Sequence, residues 1–295
     1  MPDFLIAFSQ ALQDSHFLYV GFTTLLGLIV GSFLNVVIYR LPKIMEQQWQ
    51  QQAHEIVTGA SLNNANTKLV TYTLSKPRSA CPNCQRQIKA LENIPLLSYL
   101  ALGGKCAGCK ASISLRYPLI EALTATLAAL IAIKFGYTVT ALGALLFAFA
   151  LIALTFIDYD TQYLPDDITL SLLWLGLIFN LNHSFTDLSA AVIGAVVGYL
   201  ILWGVNALFR LYKGMDGMGY GDFKLLAAIG AWFGWQMLPA VILLSAGVGA
   251  IIGIGLMVFS KHGREVPIPF GPYLALGGMS ALFFGQQLSQ IYLIQ

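Results

Sequence analysis

The apolar residues of this chain fall in long uninterrupted runs, and these constrain its fold more than any other feature. The first, Phe17 to Tyr39, has 23 residues. At about 1.5 Å of rise per residue, a helix of that length crosses a hydrocarbon core of about 30 Å. Further runs occupy roughly 118–133, 138–157, 168–182, 188–209, 223–237, 238–259 and 271–294. The sequence therefore predicts an all-α membrane protein with about eight transmembrane helices. The runs at 168–182 and 223–237 are shorter than the usual ~17 to 25 residues, which suits tilted or partly inserted segments. Only 10% of the residues are charged and 57% are hydrophobic, against roughly a quarter charged in soluble domains. The ordinary soluble classes are excluded. A net charge of +2 excludes a polyanion-binding tail; the expected partner is a lipid bilayer and not nucleic acid. Met1 to His16 carries Asp3 and Asp14 but no Lys or Arg, so it lacks the basic start of a cleavable signal, and the first span is expected to be retained.

Cytoplasmic loops of membrane proteins hold an excess of Lys and Arg. The stretch from Arg40 to Tyr117 holds ten, and threading eight spans from it places Arg210, Lys213, Lys224, Lys261 and Arg264 on the same side, leaving only Lys134 opposite. The predicted layout is an N-terminal tail and first span over 1–39, a cytoplasmic loop domain over 40–117 and seven spans over 118–295. Both termini face outward. Within the loop, Glu46 to Lys76 is rich in Gln and Asn without hydrophobic periodicity, the composition of a flexible or weakly ordered insertion.

All four cysteines lie in that loop, as Cys81-Pro82-Asn83-Cys84 and Cys106-Ala107-Gly108-Cys109. Two CxxC knuckles about twenty residues apart are the ligand pattern of a structural four-cysteine zinc site. The alternative, disulfides or a redox CxxC, suits a reducing cytosol less well. Four sulfurs leave no open coordination position, so the metal is expected to hold the loop together and not to perform chemistry.

Carboxylates at a membrane are costly and are suspects for function. Asp158 and Asp160 follow one span, Asp166 and Asp167 precede the next, and Asp216 and Asp222 lie in the turn from Lys213 to Asp222; the threading puts all six at the cytoplasmic face. Asp166 and Asp167, after Pro165, suit helix caps, and Asp160 and Asp216 read as solvated loop charges. A cap is also the simple reading of Asp222. Yet Gly217, Gly219 and Gly221 surround it and permit close backbone approach. Glu121 lies one turn into the second span, and serves equally as a buried acid joining helices or as a group that meets a cation or substrate. No His lies near these motifs and no Ser sits in a nucleophile turn, so acyl-enzyme chemistry is unsupported. Gly27-x-x-x-Gly31, Gly194-x-x-x-Gly198 and Gly249-x-x-x-Gly253 are most simply helix-packing contacts.

Several of these segments together resemble the bacterial type IV prepilin leader peptidase and N-methyltransferase family: Gly31 to Pro42 (GSFLNVVIYRLP), the two CxxC pairs, Ile157-Asp158 with Leu164-Pro165-Asp166, Gly219-Tyr220-Gly221-Asp222-Phe223-Lys224, and Pro269-Phe270-Gly271-Pro272. The resemblance implies an intramembrane aspartyl peptidase of the bacterial inner membrane, for which the outward-facing termini of the charge threading would be periplasmic. It would remove the basic leader of type IV pilins or type II secretion pseudopilins after a glycine. It would then methylate the new N-terminal residue using S-adenosylmethionine. The family's catalytic aspartates map onto Asp158 and Asp222, with Gly219, Gly221, Lys224 and Asp166 of the same motifs as supporting residues; Glu121 joins the supporting set for its place inside the second span. Asn35 and Arg40, in the first motif, are the candidates for the methyl-donor site, for which the chain offers no glycine-rich loop.

Peptide hydrolysis by two carboxylates needs one ionised to activate water and one protonated to donate to the carbonyl oxygen; two close carboxylates share a proton through repulsion. Asp222 before a helix and Asp158 after one would place the charge preferentially on Asp222. Two other classes fit the composition. A proton-coupled transporter would need acids at the midplane and matched broken helices, and a noncatalytic pilus or secretion assembly scaffold would need the zinc loop alone.

Overall fold

The computed structural model describes residues 3–58, 72–259 and 268–292, and among them regular structure is helical apart from two isolated antiparallel bridges. The all-α expectation holds. The chain divides into two compact units, Met1–Gly136 and Tyr137–Gln295.

The first unit contains α1 (Asp3–Asp14), α2 (His16–Thr58), a 3-10 turn (Ala90–Asn93), α3 (Leu97–Ala101) and α4 (Arg116–Phe135). The N-terminal tail is thus a helix, and its Phe8 packs edge-on against Phe22 of α2. α2 runs for 43 residues, carrying the first span past Pro42 and through the Gln-rich run to Thr58. That corrects the expectation of weak order for residues 46–58. Gln, Glu and Met are good helix formers, and a helix already nucleated in the span propagates without a new nucleation cost. Residues 59–71 of the supposed insertion, and Lys261 and Arg264 of the charge bias, lie outside the described residues. α2 packs on α4 through small residues: a Cβ at Gly27 would fall 2.7 Å from Ala128 Cβ, and one at Gly31 2.8 Å from Glu121 Cα.

The second unit contains α5 (Val139–Thr161), α6 (Asp166–Asn180), α7 (Leu188–Lys213), α8 (Tyr220–Phe233), a 3-10 turn (Trp235–Met237), α9 (Leu238–Phe259) and α10 (Gly271–Tyr292). α8 is its core. Leu225, Leu226, Ala228, Ile229 and Trp232 are fully buried, because α6, α7 and α10 surround a helix that is apolar on every side. The backbones of Gly194 on α7 and Gly230 on α8 meet directly, with Gly198 facing the Leu226 carbonyl, so this glycine pair is a packing contact. On the other side, Trp232 donates its indole N–H to the Leu172 carbonyl of α6 at 2.8 Å. Buried Asn180 donates to the carbonyls of Ala231 and Trp232 and accepts from the backbone N–H of Phe185 and Thr186. Each of these groups left unpaired would cost about 1–3 kcal/mol, so α6 fixes the end of α8 firmly.

Among the described residues, five stretches are long and apolar enough to cross a membrane: α2, α4, α5, α7 and Trp235–Val258, which covers nearly all of α9. α6 and α8, with 15 and 14 residues, fall short of a full crossing, and α10, with 22, is kinked at Phe284. Length and composition thus support five crossings directly, and eight remains an expectation.

Candidate active site

Asp158 lies in the last turn of α5, which ends at Gln162 in a left-handed conformation whose N–H returns to the Asp158 carbonyl at 2.8 Å. Asp222 lies in the first turn of α8, with Gly219 at the N-cap. Both acids are therefore inside helix ends and not in the flanking loops. Although 64 residues separate them, the structure brings them together as buried side chains close enough to feel each other's charge. Gly271, the first residue of α10, donates its backbone N–H to Asp158 Oδ2 at 2.9 Å. Asp222 Oδ1 is buried and has no hydrogen-bond partner among the described residues.

Leu164 sets the spacing. A Cβ at Gly221 would fall 2.7 Å from Leu164 Cβ, and one at Gly271 would fall 3.2 Å from Leu164 Cδ2 and 2.6 Å from Asp158 Oδ2. Only glycine lets the starts of α8 and α10 press this closely onto the segment after α5. Sequence reading found Gly221 through its turn. It met Leu164 and Gly271 only as letters in motifs, because nothing local reveals what they face.

A second set of contacts holds the turn before Asp222. Buried Asn206 of α7 donates to Asp216 Oδ1 at 3.0 Å and accepts the N–H groups of Gly217 and Met218 at 2.9 and 3.2 Å. Asp216 is exposed, as expected of a solvated charge, and is also tied to the span, with Arg210 at 3.9 Å. Asn206 was missed; a lone Asn in an apolar run was the available signal. Asp166 and Asp167 occupy the first turn of α6 but neither caps it, since Pro165 is the N-cap and no side-chain cap bond forms. Instead both oxygens of Asp166 bind Lys224 Nζ at 2.7 Å, joining the first turns of α6 and α8 beside the acids.

In the first unit, the two CxxC pairs form matching knuckles. Bridges Ala80–Gln87 and Lys105–Ser112 close them, Cys81 and Cys106 accept returning N–H bonds from Gln85 and Lys110, and both of these residues are left-handed. All four Sγ atoms lie within 4.8 Å of one another. The Cys81–Cys109 separation of 3.7 Å is far too long for a disulfide of ~2.05 Å and matches the ~3.8 Å edge of a tetrahedron with Zn–S of ~2.3 Å. N–H groups of Cys109 and Gly108 push the Cys106 thiol down to about 6. Cys84 receives the Arg86 N–H, but burial and the neighbouring sulfurs outweigh it and push that thiol up to about 11. Beside the knuckles, Arg86 pairs with Glu92 and holds its carboxyl below the usual range. The donor set fits a four-sulfur zinc ion.

The remaining candidates serve the backbone. Glu121 Oε2 accepts the Leu96 N–H at 2.9 Å, fixing a leucine with φ of 56°, a strained value for a residue with a Cβ. Asn35 spends its amide on the Gly31 and Tyr117 carbonyls, and Arg40 its guanidinium on the carbonyls of Thr73, Leu74 and Pro77. The donors of both side chains are thus engaged by backbone carbonyls in this structure.

Residues 25–135 match the model of the bacterial peptidase A24 N-terminal domain, and residues 145–254 match that of the type IV leader peptidase family. The chain is 53% identical over 275 residues to a prepilin leader peptidase/N-methyltransferase of Pseudomonas aeruginosa, covering 93% of each chain. It is 51% identical over 276 residues to a protein of the same description from Aeromonas salmonicida, covering 94% of each. No solved structure matches. With its two buried aspartates, four-sulfur cluster and these matches over nearly its whole length, the chain belongs to the type IV leader peptidase family.

Proposed function

We propose that this chain cleaves the basic leader of prepilins or type II secretion pseudopilins after glycine and methylates the new N-terminus, with Asp158 and Asp222 as the peptidase pair. Family membership and the curated relatives support both activities. The single observation that carries the residue assignment is the pairing of two buried carboxylates, one clamped by the Gly271 N–H and the other with a free buried oxygen. The Gly271 N–H occupies Asp158 Oδ2, which directs a shared proton to Oδ1, where it can be given to the scissile carbonyl oxygen. Asp222 Oδ1, buried and without a hydrogen-bond partner among the described residues, is the oxygen left to take a proton from an admitted water and acts as the base. The pair titrates as a unit, so these roles describe one microstate and exchange during turnover.

Zinc at Cys81, Cys84, Cys106 and Cys109 holds the two knuckles in register. S-adenosylmethionine is the methyl donor by family resemblance, and no residue here is assigned to it. In this reading the protein sits in the inner membrane with the acids at the cytoplasmic face, supported by the Lys and Arg bias of the sequence, on the side where an uncleaved leader resides. Incubating detergent-purified protein with a prepilin that carries a basic leader and a Gly-Phe junction tests the reading. Intact mass should show leader loss, followed by one added methyl when S-adenosylmethionine is present. An uncut substrate under both conditions overturns it.

A further inference from the structure

A cavity of about 270 Å³ lies in the first unit between α2, the segment 74–79 and the 3-10 turn at residues 90–93. Its walls are chemically divided. Phe33 and Val36 belong to the apolar run of α2, whereas Arg40, Arg78 and Lys89 supply three cations. Phe33 lies seven residues before Arg40, about 10 Å along the helix, so the cavity spans the passage from hydrocarbon to the polar edge of the membrane.

Among the described residues, no carboxylate lines this cavity. Arg40 is buried, and among the described residues its charge meets only backbone carbonyls. A buried charge without a counterion is costly. Arg78 and Lys89 are exposed, and among the described residues neither has a carboxylate within ion-pairing distance; Glu92, whose field reaches Lys89, is bound to Arg86. Three cations around one concavity select an anion. The apolar wall on a membrane-spanning helix selects an amphiphilic one, and basic pockets beside spans on the cytoplasmic side are a recurring form of lipid headgroup site.

We propose that this cavity binds the headgroup of an anionic phospholipid, with the phosphate between Arg78 and Lys89 under the field of Arg40 and an acyl chain along Val36 and Phe33. A net-cationic methyl donor is the opposite of what the cluster selects. The lipid site therefore stands independently of where methyl transfer occurs.

The test uses delipidated full-length protein in neutral detergent, titrated with phosphatidylglycerol, phosphatidylcholine or soluble glycerol phosphate and read by native mass spectrometry. One phosphatidylglycerol should bind at least about tenfold more tightly than phosphatidylcholine. Arg78→Ala and Lys89→Ala should each weaken it about fivefold, and the double variant about twentyfold, since a basic residue near an anionic lipid surface contributes about a factor of five. Both positions are exposed, and unchanged zinc content checks that the variants fold. Equal binding of the two lipids, or unchanged phosphatidylglycerol binding in the double variant, overturns the proposal. Glycerol phosphate binding as tightly as phosphatidylglycerol also overturns it, by making the cavity a soluble-anion site. Displacement of phosphatidylglycerol one for one by S-adenosylmethionine assigns the cavity to the methyl donor and overturns it as well.

Discussion

The Gly271 backbone N–H grips Asp158 Oδ2 across 113 residues of sequence, and a methyl group in place of the Gly271 hydrogen would lie 2.6 Å from that same oxygen. The close approach that makes the hydrogen bond possible is therefore also what forbids a side chain there. Gly271→Ala should lower kcat for leader removal about a hundredfold, the scale of a displacement of about 1 Å. The fold should lose only about 1–3 kcal/mol through overpacking. Steady-state kinetics beside thermal unfolding checks this, and near-normal kcat would mean that the clamp is not needed.

The Asn206 and Asp216 side chains form a donor–acceptor pair that can be reversed. Asn206→Asp alone sets two carboxylates against each other and should weaken the fold by about 1–3 kcal/mol, lowering kcat about tenfold as the turn loosens. Adding Asp216→Asn restores one amide donor facing one carboxylate, and the introduced carboxylate can still accept the Gly217 and Met218 N–H groups. Most of the lost activity and stability should return. A double variant no better than Asn206→Asp would argue that the turn is held by other means.

Removing the metal should act on the first unit. The protein as purified should carry one zinc per chain, and Cys81→Ser should abolish it and expose residues 77–113 to protease. In metal-stripped protein at pH 7, Cys106 lies above its pKa of about 6 and is mostly thiolate, while Cys84 lies far below its value of about 11 and is protonated. Alkylation mapped by peptide mass should therefore label Cys106 first and Cys84 last. Lowering the pH below about 6 should remove that advantage, since Cys106 then takes up its proton. Zinc should protect all four thiols, and labelling that is indifferent to zinc would refute the cluster.

Glu121 is a test of what a buried membrane acid is for. Its contact is one backbone N–H, which an amide oxygen can also accept. Glu121→Gln should keep both activities within about twofold, whereas Glu121→Ala strands the Leu96 N–H and should cost about 1–3 kcal/mol. Melting curves and activities of the two variants decide it: strong loss of methylation in Glu121→Gln at unchanged melting temperature would point to direct participation.

Much of this architecture was legible because hydrophobic runs and charge placement are local signals. The four cysteines declared their cluster by spacing, and the resemblance named Asp158 and Asp222, which the fold places within reach of each other's charge. What failed were partners distant in sequence. Asp166 looked like a cap because Pro165 and an apolar run frame it, yet its oxygens go to Lys224, 58 residues on. Asp216 is exposed as expected, but its bond to Asn206 could not be read from the turn, because Asn206 lies on the previous span. The Gln-rich run lacked an amphipathic stripe, and its helix comes from propensity and from continuity with the span. The cationic cavity combines three segments spread from Phe33 to Asn93, too far apart for any short window of the chain to contain it.

The most direct test of the account is the kcat for leader removal by Asp158→Asn, Asp222→Asn and the double variant, with zinc content and melting temperature measured on the same samples. Two carboxylates that share one proton form one catalytic unit, so each single variant should lose roughly a thousandfold or more and the double should be no worse than the poorer single. Cleavage surviving within about tenfold in either single variant, with the protein folded and zinc-loaded, would contradict the assignment of Asp158 and Asp222 as the peptidase pair.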